Sequence, residues 1–267
     1  MPVQREVVAQ LVAGIAAVGV VINALELLVA RKNVLTFHDW NVLRTRYRVL
    51  SGCSPSPLEW SVSSGTVFAI AIVLQAIAAI CLVIFFHSGA WAIGLCAYIL
   101  AIRLLLGLRL IYGFDGSDHM HAIVWAGLLV FLASPSASIK DLALVFIAAQ
   151  LLLSYLTSGI AKLLSPIWRS GKAVGLIVRT ESYGQKSVSR LIERLHLSGP
   201  LSRGTMVLEV VGPLSVLMGP KAAIVFIFFG VMFHLGSAIV MGLNSFVWAF
   251  AACFPAVLYI SERWAPF

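Results

Sequence analysis

The sequence predicts an all-α integral membrane protein: a bundle of about 7–8 transmembrane helices, with one or two amphipathic helices lying in the interface. Three observations carry this. Of the 267 residues, 60% are hydrophobic and only 11% are charged, where soluble domains carry about 25% charged residues. Mean hydropathy is +0.98, which leaves far too much apolar surface for a chain folded in water. The apolar runs last about 20 residues, the length of a helix crossing the hydrocarbon core, rather than alternating over about 10 as barrel strands do. Inside a bilayer the backbone must satisfy its own hydrogen bonds, and long apolar helices do so.

Spans are expected at 7–30, 65–86, 90–112, 119–133, 141–164, 204–219, 221–243 and 244–261. "MPVQREVVAQ" runs straight into apolar sequence as far as Ala30. That is too long for the roughly 7–15-residue core of a signal peptide, and no small-residue cleavage pattern follows it. It reads as the first span. The fourth and sixth spans are short, and the last two are joined almost without a loop. No polar linker is long enough to divide the chain, so 1–267 is expected to be a single transmembrane domain. No internal repeat is visible.

Two connections are long and basic. Residues 31–63 carry Arg31, Lys32, Arg44, Arg46 and Arg48, with Phe37, Trp40 and Tyr47 between them. Residues 165–203 carry Arg169, Lys172, Arg179, Lys186, Arg190, Arg194 and Arg203. In the second connection Val188, Leu191, Ile192 and Leu195 recur at helical spacing opposite Arg190, Glu193 and Arg194, the pattern of an interfacial amphipathic helix. With eight spans both connections fall on one side, which the positive-inside rule makes cytoplasmic. The net charge of +8 is therefore assigned to lipid headgroups, and no nucleic-acid partner is expected. The cysteines form no CxxC pair. Cys81, Cys96 and Cys253 lie in apolar runs as small buried hydrophobes, and no metal site is predicted.

Ionisable residues within spans are costly and mark sites or structural partners. They are Glu26, Arg103, Arg109, Lys162, Glu209 and His234. Arg103 and Arg109 point about 120° apart on a helix. Glu209, in "TMVLEVVGP", is the acid expected to form a structural ion pair with one of them. Lys162, in "YLTSGIAKLLSPIWRSG", shares its face with Gly159 and Ser158, and with Tyr155 one turn further. Small and polar residues on a membrane helix face other helices, so Lys162 is expected to point inward. There, desolvation disfavours the ammonium and makes an amine available as a base. The segment "GFDGSDHMHAIVW" brings Asp115, Asp118, His119 and His121 together. It reads either as an N-capped helix start, with Asp115 or Ser117 capping, or as a site mouth where His119 transfers protons or positions substrate.

Taken in order, "DGSDHM", "YLTSGIAKLLSPIWRSG", "VLEVVGPL" and "FHLGSAIVMGLNSF" resemble the horizontally transferred transmembrane domain family, itself similar to the membrane part of vitamin K-dependent γ-glutamyl carboxylase. The resemblance covers roughly residues 7–261. It implies chemistry. In the carboxylase, a lysine after Gly-x-x deprotonates a reduced naphthoquinone, whose reaction with oxygen yields the base that takes a proton from a peptide glutamate. Lys162 matches that lysine, and His119 a histidine at the start of the fourth span. The resemblance places Asp118, Tyr155, His234 and Asn244 in a substrate or quinone pocket. It also implies a vitamin K-like reduced quinone as cofactor, a bacterial plasma membrane, and a cytoplasmic N-terminus, opposite to the orientation from loop charge. The carboxylase's β-rich extramembrane region has no counterpart here. The expectation is therefore modification of a peptide or small substrate, not propeptide-dependent carboxylation. The alternative is a non-enzymatic membrane partner in peptide maturation, export or immunity, with its buried charges as structural pairs. A transporter is a third reading, but no paired Gly/Pro-broken spans occur in the two halves.

Overall fold

The computed structural model describes residues 4–30, 65–109, 115–181 and 183–264. The first basic connection, including its arginines and Cys53, lies outside them, as does the side chain of Arg109.

Among the described residues, eight helical segments are long and apolar enough to cross a membrane and no strand occurs. The protein is an all-α, multi-pass membrane bundle. The spans are α1 (Arg5–Val29), α2 (Gly65–Ile84), α3 (Ala90–Arg109), α4 (Gly116–Ala133) and α5 (Ala137–Leu164). Three short helices follow: α6 (Pro166–Arg169), α7 (Ala173–Ile177) and α8 (Lys186–Arg194). The sixth span is α9 (Ser198–Val211), continued by a 3-10 turn, Gly212–Met218. The seventh is α10 (Pro220–Met241), and the eighth is α11 (Asn244–Ala251) followed by α12 (Phe254–Trp264).

α1 is the axis of the bundle. It packs against α2, α4, α11 and α12 through Ala9, Ala13, Ala16, Ala17 and Gly19, all buried. Lipid tails are as apolar as Leu, so helices associate in a membrane through close backbone approach, which small residues permit. Gly19 shows how close: a Cβ there would lie 2.7 Å from the His121 ring and 2.6 Å from Trp248 Cβ.

Two late spans are broken. Pro213 follows Gly212, and its missing N–H and bulky ring tighten the end of the sixth span into a 3-10 turn. Gly219, at φ 97°, then turns the chain so that Pro220 opens α10 at a helix position where no N–H is needed. Pro255 likewise falls in the first turn of α12, just after the break. Both breaks lie in the second half, so the halves are not matched.

Polar contacts fix which helix ends meet. At the N-terminal side Gln10 bonds His87 (2.8 Å) and Lys140 bonds Glu6 (2.9 Å). Asp141 gathers Arg5, Arg263 and the Tyr259 hydroxyl there. At the other side Arg103 donates to Asn23 and Asn244 donates to Glu26. The ends of α1, α3, α5 and α10 and the starts of α4, α9 and α11 therefore share one side, which also carries the basic segment 165–203.

Candidate functional site

A cavity of about 580 Å³ opens on that basic side. It is walled by α5, α9, α10 and α11, roofed by α6, α7 and α8, and reaches the start of α4 at Gly116. Its lining is mostly apolar, with Ser154, Thr205 and Ser237 beside two polar poles.

The first pole is Lys162. Its Nζ donates to Glu209 Oε2 at 2.7 Å, to Oε1 at 2.9 Å and to Ser158 Oγ at 2.5 Å. The three donors of an ammonium are thus all engaged. The Lys162 side chain is 17% exposed and that of Glu209 only 5%, so this pair is nearly desolvated. The Trp168 ring lies 5.0 Å from Nζ, close enough for a cation–π contact. The sequence creates this pole through Gly159. A Cβ there would lie 2.7 Å from Val210 Cγ2 and 2.9 Å from the Glu209 backbone. Its absence lets α9 press against α5, where Glu209 meets Lys162. Ser158 then sits one turn before the amine on the same face.

The second pole is Tyr155, whose hydroxyl lies 2.7 Å from His234 Nε2. Both residues are buried and both line the cavity. Gly230 makes room for them, since a Cβ there would be 3.1 Å from the Tyr155 hydroxyl. Phe250 lies tilted against His234 with ring centroids 4.3 Å apart, and Phe246 continues the aromatic wall.

Lys162, Tyr155 and His234 line this cavity together, and Lys162 turns inward. Four expectations need correction. Glu209 does not pair with Arg103: both of its oxygens are held by Lys162, and the Arg109 side chain lies outside the described residues. Arg103 instead bonds Asn23 at 2.9 Å and approaches Asp118 at 3.9 Å. The reason is helix adjacency, because α9 is a neighbour of α5 and α10 whereas Arg103 projects between α1 and α4. His119 does not line the cavity. Its Nδ1 donates to the Asp115 carbonyl at 2.7 Å, and Asp115 and Asp118 form a capping box around the start of α4. This segment is thus a helix start, and Asp118, expected in the pocket, instead serves the cap and Arg103. Asn244 also lies off the cavity, donating to Glu26 at 2.8 Å.

Sequence reasoning missed Ser158 as a partner of the lysine, and it missed the roof residue Trp168 and the wall residues Phe246 and Phe250. Trp168 carried a weak signal, an aromatic six residues past Lys162 in "SPIWRSG". It also gave His121 no role. That residue is fully buried against Gly19, and neither ring nitrogen has a hydrogen-bond partner among the described residues.

Fold and site define a helical multi-pass membrane protein with a mostly apolar cavity that carries two polar poles. No family model, no curated protein and no solved structure matches the chain.

Proposed function

We propose that the cavity binds a reduced quinone and that Lys162 accepts a hydroxyl proton from it, as the first step of an oxygen-dependent modification of a peptide or small substrate. The observation that carries this reading is that both poles line one cavity. Tyr155 and Lys162 are seven residues apart on one face of α5, about 10 Å along the axis at 1.5 Å per residue, so a ring with a polar group at each end has room between them. The aromatic and aliphatic walls between the poles suit the ring itself, and mostly apolar pockets of this size with a few converging polar groups are typical of cofactor sites.

The residues present fit such a group. A reduced quinone supplies an acidic hydroxyl and an electron-rich ring. Tyr155 and His234 hold one oxygen. At the other, Lys162 passes one ammonium proton to Glu209, and its freed lone pair accepts the hydroxyl proton. The pair gains one positive charge and so faces the anion left on the ring. Glu209 positions the amine and takes the proton that would otherwise block it. The apolar walls limit the water around the pair, whose Glu209 side chain is 5% exposed. By resemblance to short bacterial members of the family, the membrane is a bacterial plasma membrane.

A second reading rests on the same contacts: with every ammonium donor engaged, Lys162 and Glu209 also suit a structural pair in a non-enzymatic membrane partner. Extraction of purified protein with organic solvent, followed by mass spectrometry, tests for a quinone retained near one per chain. Turnover of added reduced quinone is then compared between wild type and Lys162→Arg. A guanidinium stays protonated, so turnover falls by about 10²-fold or more, the usual scale of a lost general base. Near-wild-type turnover by the Arg variant, or no detectable quinone binding, rules out the enzymatic reading.

A further inference from the structure

We propose that α8 and its flanks dock anionic phospholipid headgroups, and that this docking seats the roof of the cavity. The proposal is independent of which ligand the cavity takes.

Lys186, Arg190 and Arg194 follow one another at four-residue spacing, so they share one face of α8, and all three are exposed. The acid on this helix does not neutralise them: Glu193 is held by Arg179, whose Nε lies 2.7 Å from Oε1. The opposite face is apolar and divided. Ile192 is 7% exposed and lines the cavity, whereas Leu191 and Leu195 are each 53% exposed. A helix with two leucines turned outward and three cations behind them is unfavourable in water. At a bilayer interface the leucines enter the acyl boundary and the cations meet phosphates.

The position of α8 agrees. Gln185, which opens it, donates to the Ile239 carbonyl at 2.9 Å, in the last turn of α10 and hence at the membrane surface. The whole segment 165–203 carries seven cations against two acids. Arg169, Lys172 and Arg203 are exposed on the same side. Charge complementarity commits the surface to anionic lipid: each such cation gains from an anionic leaflet and little from a zwitterionic one.

The link to the cavity is Ile192. The neighbouring roof helix α7 is pinned to α9, because Ser198 Oγ accepts from Gly175 N at 3.0 Å and Ser202 Oγ from Val174 N at 3.2 Å. Among the described residues, the side-chain polar contacts that tie α8 to its surroundings are those of Gln185 and of Arg179 with Glu193, both exposed, beside the buried Ile192. Its seating therefore depends on what its outer faces touch. A headgroup layer that holds the cations keeps Ile192 over the cavity.

The test uses the full chain in nanodiscs of phosphatidylcholine, with and without about 30% phosphatidylglycerol, a strongly anionic leaflet. Amide hydrogen exchange is read over 186–195. Alkylation of a Thr205→Cys reporter in the cavity by a charged maleimide is read by peptide mass. Phosphatidylglycerol slows both by about five-fold, and about 0.5 M salt reverses the effect. The Lys186→Gln/Arg190→Gln/Arg194→Gln variant loses the lipid response but keeps the wild-type rates in phosphatidylcholine. Equal rates in the two lipids overturn the proposal, as does a lipid response that survives the triple variant. Inorganic phosphate giving the same protection in phosphatidylcholine also overturns it, because the ligand would then be a free anion.

Discussion

Lys162 can be read as a base or as half of a structural pair, and the two roles separate at the level of single substitutions. Lys162→Ala leaves the Glu209 carboxylate, 5% exposed, without its cation. Removing one partner of a buried pair costs about 3 kcal/mol, so the Ala variant melts at a clearly lower temperature in detergent. Lys162→Arg keeps the charge and melts near wild type, yet does not turn over reduced quinone. The other pole predicts a different signature. Tyr155→Phe removes one hydroxyl from a buried hydrogen bond to His234 and leaves the aromatic packing in place. Titration with 1,4-naphthohydroquinone and with 1-naphthol separates its role in binding. Wild type prefers the diol by about ten-fold, one well-made hydrogen bond, and the Phe variant prefers neither. An unchanged preference would mean that this pole does not touch ligand. The inward direction of Lys162 was legible in the sequence, because Ser158 and Gly159 mark its face as a helix contact. Its partner was not, since sequence spacing carries no record of which helix lies alongside.

At the scale of the elements, Gly159 sets the approach of α5 and α9, and its substitution tests whether that approach builds the site. Gly159→Leu puts a side chain where Val210 and the Glu209 backbone already sit at under 3 Å. Overpacking of this kind costs about 1–3 kcal/mol, and here it also separates Glu209 from Lys162. The variant therefore loses both thermal stability and quinone affinity, while Gly14→Leu, at a position with open space around it, loses neither. The start of α4 gives a smaller expected effect. Asp115 accepts from the backbone of Ser117 and Asp118, so Asp115→Ala costs about 1 kcal/mol in equilibrium unfolding. Quinone turnover stays near wild type, because this segment is a helix cap beside the cavity. The eight spans were legible as apolar runs, with ends off by a few residues. Span four starts at Gly116 rather than 119, because polar capping residues belong to the helix but not to the run. Span six starts at Ser198 rather than 204 for a similar reason: Ser198, Ser202 and Arg203 are polar on a helix that is only partly in lipid.

For the whole molecule, the grouping of helix ends predicts opposite sides for the N-terminus and the basic segment. In sealed vesicles of one orientation, trypsin that cuts within 165–203 leaves an N-terminal epitope tag protected, and permeabilisation exposes it. Cleavage at both from one side would contradict the eight-span arrangement. The sequence by itself determined that this chain enters a bilayer as a helical bundle. Insertion depends on the summed transfer free energy of each apolar run, which is a local and additive property. It also determined that the cations gather on one side, since an even number of spans lies between the two basic connections. Only the tertiary structure decided which buried charges meet. Glu209 had three intramembrane cations within reach of a sequence argument. Lys162 took it because a glycine at 159 and the valine at 210 allow two particular backbones to touch, a property of the packed pair that neither helix carries alone.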